Sequence, residues 1–182
     1  MSGRAVRHLT LTELEAGLEE IQRSPADAGM LEMIVRRPRS GEREVLAAGV
    51  LDPHQGLIGD RWSVAGARAL AEQLTLMNSR TIALLARSTQ FWALAGDQLY
   101  VDFDLSLDNV PPGTRLAVGS AVIEASDVPH TGCKKFRAHF GLDAVRFVGS
   151  PIGKQLQLRG INARVLEAGE VQVGDAVRKI GG

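Results

Sequence analysis

Apolar positions near the N-terminus recur at helical spacing. Between Leu11 and Ile21 the leucine and isoleucine side chains fall every three or four residues, so they share one face of a helix. Thr10 followed by Glu13 matches a capping box, in which the two residues satisfy each other's backbone N–H groups. This pattern predicts a short amphipathic helix at the start of the chain.

Most of the remaining chain consists of short apolar runs separated by turn residues, which is typical of β-structure. From Leu99 to Ser106 apolar and polar side chains alternate, which predicts a strand with one buried and one solvated face. Gly119-Ser120 joins two apolar runs at the length of a tight hairpin. Further strands are predicted at residues 30–36, 45–51, 74–77, 115–118, 121–125 and 161–165, and around Val171 and Val177.

Helices interrupt these strands at three places. Asn78 or Ser79 can cap a helix that carries Ile82 and Leu85 on one face. A second helix is predicted from Cys133 to Phe140, ended by Gly141, and a third at residues 142–148. Residues 52–61, with two glycines and a proline, are predicted to form a loop.

The order of these elements favours a mainly β (α+β) fold. Many short strands without regular βαβ alternation indicate a mostly antiparallel β-barrel with short helical insertions. We expect residues 1–29 to form a helical extension and residues 30–182 to form the barrel domain.

Composition narrows the classes of partner. The 21 basic side chains equal the 21 acidic ones, so no net field attracts nucleic acid or an anionic membrane. The longest apolar runs fall far short of the ~20 residues of a membrane-spanning helix, and no secretory signal opens the sequence. We therefore expect a cytoplasmic protein with a small-molecule partner, and no nucleic-acid or membrane binding.

Several motifs occur in an order that resembles the MOSC family, named after the C-terminal domain of molybdenum-cofactor sulfurase. Gly56-Leu-Ile-Gly-Asp-Arg61 is similar to the family's glycine–aspartate loop. The other motifs follow it in order, and together they cover nearly the whole chain after the first helix. They are Gly96-Asp-Gln-Leu-Tyr-Val-Asp-Phe-Asp-Leu-Ser106, Pro112-Gly-Thr-Arg-Leu-Ala-Val-Gly119, Pro129-His-Thr-Gly-Cys-Lys-Lys-Phe136, Arg159-Gly-Ile-Asn-Ala-Arg-Val165 and Val173-Gly-Asp175.

The resemblance implies a barrel whose single cysteine, Cys133, faces a pocket used for molybdenum-cofactor chemistry. Characterised relatives either handle cofactor sulfur or bind the cofactor to reduce N-hydroxylated compounds. This sequence has no pyridoxal-phosphate desulfurase, iron–sulfur or flavin domain, so no pyridoxal-phosphate site is expected within it. A separate cysteine desulfurase or an electron-donor protein is then the implied partner.

Cys133 is the candidate catalytic residue and, if molybdenum is bound, the candidate metal ligand. A thiolate is required for either role, and a helix start with following lysines favours that charged form. Without these surroundings a lone cysteine is an inert buried side chain. Hence we expect Cys133 to be reactive, as a sulfur carrier or as a soft ligand for molybdenum.

Arginine, lysine and backbone donors are needed to hold the phosphate of such a cofactor. A solvated surface charge is the ordinary alternative for each basic candidate. Asp60 has two alternative roles, an orienting contact or a turn cap. For His130 the alternative is that it shapes the loop before Cys133. The candidate cofactor-binding residues are Arg61, Lys134, Lys135, Arg159, Asp60 and His130.

Other chemistries fit the sequence less well. His130, Cys133 and His139 are too irregularly spaced for a structural zinc site, and partners in a Cys–His dyad usually come from distant segments. Phe136 and Phe140, four residues apart, predict a core-facing stripe on a helix. Two further alternatives remain open: a non-catalytic metabolite-binding barrel and a cofactor-free thiol enzyme.

Overall fold

A computed structural model describes residues 5–64 and 69–181 of the chain. The described helices are α1 (Leu11–Glu15), α2 (Leu18–Gln22), α3 (Ser79–Ala86), α4 (Lys134–Phe140), α5 (Leu142–Gly149) and α6 (Pro151–Gln155), with 3-10 turns at Leu70–Glu72 and Thr89–Ala95. The described strands are β1 (Ala28–Arg36), β2 (Glu44–Leu46), β3 (Ala48–Asp52), β4 (Gly56–Leu57), β5 (Leu74–Asn78), β6 (Leu99–Asp102), β7 (Arg115–Val118), β8 (Ala121–Ala125), β9 (Ile161–Glu167), β10 (Gly169–Gln172) and β11 (Ala176–Ile180).

Seven strands close into a barrel in the order β1-β11-β7-β8-β9-β5-β6, and β6 returns to β1. The β5–β6 pair is parallel, whereas the other pairs of the ring are antiparallel. Closure leaves no unpaired edge in the ring. The strand β2 pairs antiparallel with the end of β1 outside the ring, and β10, β3 and β4 form a separate small sheet. The predicted, mostly antiparallel barrel is confirmed.

Two apolar clusters hold the fold together. One fills the barrel and includes Leu31, Phe103 and Ile123. The other lies between the outer side of the barrel and the helices, and Tyr100 and Phe136 belong to it. The barrel is therefore packed on its inside and covered by helices on one outer side.

Strand β6 shows why this covering matters. Leu99 and Val101 face the barrel interior, as their alternation predicts. The expectation of a solvated second face is wrong at Tyr100, which is fully buried against the helices and donates from its hydroxyl to the Trp92 carbonyl at 2.8 Å. The strand also ends at Asp102, earlier than predicted.

The predicted N-terminal helix forms as two short helices. The capping box is confirmed, because the Thr10 backbone N–H donates to Glu13 at 2.8 Å and the Glu13 N–H to the Thr10 hydroxyl at 3.3 Å. The helix is interrupted at Gly17, where a β-carbon would lie 2.5 Å from Leu84 of α3. Both helices bury apolar side chains in the second apolar cluster, between the barrel and the helices. The boundary at residue 29 stays a prediction; β1 already begins at Ala28.

Several local predictions are confirmed. Asn78 caps α3 by accepting from two backbone N–H groups, and Gly119-Ser120 connects the β7–β8 hairpin. Phe136 and Phe140 are both buried, with ring centroids 5.0 Å apart. The loop at 52–61 contains one short strand, β4, and α6 was not predicted. None of the described helices is long and apolar enough to cross a lipid bilayer.

Candidate functional site

The segment from Ala93 to Gln98 covers the end of the second 3-10 turn and the residues before β6, and it organises the buried polar groups of the site. The turn ends at Gly96 in the left-handed region (φ 89°), which leaves its last carbonyl groups free to accept hydrogen bonds. Arg159 donates to the Ala95 carbonyl at 2.9 Å, and Arg37 to the Gly96 carbonyl at 3.0 Å. Guanidinium groups thus converge on the negative end of a helical turn.

Asp97 is the buried centre of a three-residue network. One carboxylate oxygen lies 2.8 Å from His130 Nε2, and the other accepts from Arg159 Nη1 at 2.7 Å. Burial raises the pKa of Asp97, but the charges and hydrogen bonds of Arg159 and His130 lower it by more, so that it falls to about 2. Asp97 is consequently ionised, so His130 Nε2 donates its proton to it. The other ring nitrogen, Nδ1, bonds to none of the described residues.

Asp60 forms a second buried carboxylate site. Its oxygens accept from Arg37 Nε at 3.0 Å and Nη2 at 2.8 Å, a bidentate pair, and from the Arg37 and Trp62 backbone N–H groups. Burial raises the pKa of Asp60, but the hydrogen bonds and charge of Arg37 lower it overall. Gln98 connects this pair to β5, because its amide donates toward Asp60 at 3.4 Å and accepts from Thr75.

Three guanidinium groups, of Arg37, Arg43 and Arg61, form what we call the arginine cluster. Burial lowers the pKa of Arg43, and the neighbouring charges of Arg37 and Arg61 lower it further. Arg37 is paired with Asp60, but Arg43 and Arg61 form no ion pair within residues 5–64 and 69–181. The cluster therefore has more positive charge than its carboxylate balances.

Unpartnered donors accompany this excess charge. The Nε atom of Arg61 and the indole Nε1 of Trp62 are both buried, and neither has a hydrogen-bond partner among the described residues. Buried N–H groups normally find a partner, because leaving one unpaired costs about 1–3 kcal/mol. An anion with several oxygen acceptors would match both the charge and the free donors.

Cys133 lies on the loop that follows β8 and is the residue before α4. Its side chain is exposed and makes no hydrogen bond that caps the helix. Lys134 and Lys135 follow it and are also exposed. Phe136, one turn into α4, lies beneath the Arg159 guanidinium, 4.8 Å from ring centroid to Cζ. The thiol is thus free, on a loop held against the Asp97 network.

Two clefts flank this loop and share Pro129, His130 and Thr131 as a common wall. The first cleft, of about 300 Å³, is also lined by Arg37 and Trp62. The second cleft, of about 420 Å³, is also lined by Val148, Lys154 and Arg159. Cys133 lines neither cleft, but it follows Thr131, which lines both.

The predicted site residues fall into three groups. Arg159 and His130 meet at Asp97. Arg61 belongs to the arginine cluster, and Asp60 contacts that cluster by pairing with Arg37, not with Arg61. The remaining predicted residues are on the exposed start of α4: Cys133, Lys134 and Lys135.

Sequence reasoning missed Asp97, Arg37, Arg43 and Trp62. Asp97 stands within the Gly96-Asp-Gln motif, directly before the apolar run of β6, and that placement was the available signal. Arg37 and Arg43 carry no such signal in the sequence, since they stand among other arginines in a polar turn. Within the described ranges, no three His, Cys, Asp or Glu side chains lie close enough to hold a metal ion together.

A family model described as the MOSC domain matches residues 72–178, more than half of the chain. The chain belongs to the MOSC domain family. Membership confirms the resemblance drawn from the motifs and supports, at the level of the family, a function related to the molybdenum cofactor. The matched region of this MOSC protein includes Asp97, Cys133 and Arg159, whereas the arginine cluster lies before it.

Solved structures share the fold of this MOSC protein. YiiM from Escherichia coli is 20% identical with a TM-score of 0.56, over 84% of this chain and 70% of that one. The YUAD protein from Bacillus subtilis is 15% identical with a TM-score of 0.58, over 82% of this chain and 94% of that one. A search of curated proteins found no match.

Proposed function

We propose that this MOSC protein binds the molybdenum cofactor, with its anionic end at the first cleft and with Cys133 as the sulfur ligand of the metal. The observation that carries the proposal is the excess positive charge of the arginine cluster, whose Arg37 lines the first cleft together with Trp62. Arg43 and Arg61 lack carboxylate partners among the described residues, and Arg61 Nε and Trp62 Nε1 are buried without acceptors. A phosphate group has the charge and oxygen atoms to satisfy them.

The exposed state of Cys133 fits this role. A thiol that caps no helix and has no disulfide partner is free to bind a soft metal as thiolate. When bound, the cofactor would supply a redox-active molybdenum centre. The carboxylate lining the first cleft, Glu72, is exposed to solvent, so water screens its repulsion of an anion.

His130 has the position and orientation to transfer a proton at the site. Its Nε2 proton is held by ionised Asp97, so Nδ1 is the atom that can accept or release a proton. The ring lines both clefts and lies three residues before Cys133. Arg159 fixes the other oxygen of Asp97, which keeps the imidazole in a single orientation.

A sulfur-carrier role is the second candidate, favoured by the exposure of Cys133. A persulfide on an accessible thiol can be reached by another protein, whereas a buried one cannot. The reductase role would require an electron-donor protein, and the carrier role a separate cysteine desulfurase. Both begin from a free thiolate, which the reducing cytoplasm maintains, and the cytoplasm remains the proposed compartment.

Equilibrium titration with isolated molybdenum cofactor, followed by pterin fluorescence, tests the proposal. We expect Arg61→Gln to weaken binding by about tenfold or more, since a buried charge-assisted hydrogen bond contributes roughly 1.5–3 kcal/mol. Arg178→Gln, an exposed arginine on β11, is the matched control and should bind as the native protein does. If Arg61→Gln and the native protein bind the cofactor with equal affinity, the arginine cluster is not part of the binding site.

A further inference from the structure

The second cleft has the size and lining of a ligand site that the proposed cofactor position does not use. Its volume of about 420 Å³ lies within the range of small-molecule pockets, roughly 300–1,000 Å³. Leu107, Val128, Pro129 and Val148 supply apolar walls. Such walls suit an organic ligand with an apolar body.

Arg159, in the wall of this cleft, has a buried donor without a partner among the described residues. Arg159, which lines it, is 6% exposed, and its two Nη atoms are used by Asp97 and the Ala95 carbonyl. Its Nε is buried and has no acceptor among the described residues. Because one face of the guanidinium rests on Phe136, the group cannot rotate freely toward water.

Charge favours an acidic ligand. Arg159 and Lys154 line the cleft, and the carboxylate that lines it, Asp127, is exposed to solvent. Within the described part of the chain, Lys154 forms no ion pair. Gly153 brings Lys154 to this wall, since a β-carbon there would collide with the Phe147 and Val148 carbonyl oxygens of α5.

We propose that the second cleft binds a small organic carboxylate with an apolar body, and that a carboxylate oxygen accepts a hydrogen bond from Arg159 Nε. His130 forms part of the wall of both clefts, so a molecule bound here lies beside the imidazole proposed to transfer a proton. The idea that this ligand is the substrate rests on the proposed function. The proposal that the ligand binds in the second cleft does not.

Benzoate is the probe, titrated into the full chain and followed by backbone amide NMR. We expect shifts at Thr131, Gly153 and Gly160, and none at Glu72 or Thr75, which line the first cleft. Benzamide, which has the same ring without the charge, should bind at least several-fold more weakly. Shifts confined to the first cleft, or equal affinity for benzamide, would overturn the proposal.

Two substitutions of opposite charge sharpen the test. Lys154→Met should weaken benzoate binding and Asp127→Asn should strengthen it, each by about threefold, the effect of one exposed charge. Lys179→Met, at an exposed lysine on β11 that lines neither cleft, is the control and should change nothing. If neither cleft variant alters the affinity, or if inorganic phosphate displaces benzoate at equal concentration, the site does not recognise an organic acid.

The outcome separates this proposal from the proposed function. Benzoate binding in a protein that fails to bind the molybdenum cofactor would retain the second cleft and remove the cofactor role. Cofactor binding without benzoate binding would support the cofactor role and overturn the proposal for the second cleft.

Discussion

Asp97 and His130, 33 residues apart in sequence, are joined by a 2.8 Å hydrogen bond from the imidazole to a fully buried carboxylate. Arg159 binds the other oxygen of the same carboxylate at 2.7 Å. The network connects the start of β6, the loop before Cys133 and the start of β9. Its integrity sets the geometry between the barrel and the cysteine loop.

Replacing Asp97 with Asn should therefore destabilise the protein strongly. The amide keeps the shape but leaves the Arg159 charge buried without its partner, which costs about 3–5 kcal/mol. Urea unfolding measures the change. Asp102→Asn is the matched control, because its ion pair with Arg80 is partly exposed and should contribute only about 0.2–1 kcal/mol. Equal losses in the two variants would show that the Asp97 network is not a special contributor.

Stability should fall at acidic pH for the same reason. The pKa of Asp97 is about 2 in the folded protein and has its ordinary value of 3.8 when unfolded. Between these values the unfolded state binds more protons, so this contribution is fully present above pH 4 and is lost as pH falls toward 2. It amounts to ~2 kcal/mol. Between pH 5 and pH 3, urea unfolding should show a smaller fall in the free energy of unfolding for Asp97→Asn than for the native protein. Equal falls in the two proteins would contradict the assignment of this pH dependence to Asp97.

Gly160→Ala should destabilise the protein much more than Gly113→Ala. Both glycines have positive φ, 110° and 89°, a conformation that strains alanine by about 1 kcal/mol or more. At Gly160 a β-carbon would also collide with the Leu76 carbonyl oxygen and lie 3.3 Å from the His130 ring, whereas at Gly113 the space is open. Thermal unfolding of the pair separates the collision from the backbone strain. Similar midpoints for the two variants would contradict the close approach.

Arg43→Met should separate stability from anion binding. Removing this partly buried charge relieves its repulsion with Arg37 and Arg61, so the free energy of unfolding should change by less than about 1 kcal/mol. Inorganic phosphate should raise the unfolding midpoint of the native protein, since it binds the folded state. That rise should be at least halved in Arg43→Met and unchanged in the control Arg178→Met. An equal rise in all three proteins would show that phosphate acts elsewhere.

The sequence predicts local features of the fold well, because their signals lie within a few residues. Thr10 and Glu13 specify their capping box, Asn78 its helix cap, and Gly119-Ser120 its hairpin. The second face of β6 could not be predicted in this way. Alternation shows that Leu99 and Val101 point inward, but it does not show that helices cover Tyr100.

The candidate site was predictable only in part. Cys133, Arg159 and His130 stand in motifs that resemble a family. Asp97 acquires its importance from partners 33 and 62 residues away, brought together by barrel closure, and the pattern around it indicates only the start of a strand. Arg43 belongs to the site because of the charges packed around it, a property of the folded chain.

Molybdenum and pterin content tests the central claim most directly. Native protein and Cys133→Ser would be purified in parallel from a molybdenum-replete host, and metal and pterin would be quantified per chain. We predict that the native protein retains both and that Cys133→Ser loses the molybdenum. Absence of cofactor from both proteins, or equal molybdenum in both, would contradict the role of Cys133 as the ligand of the metal.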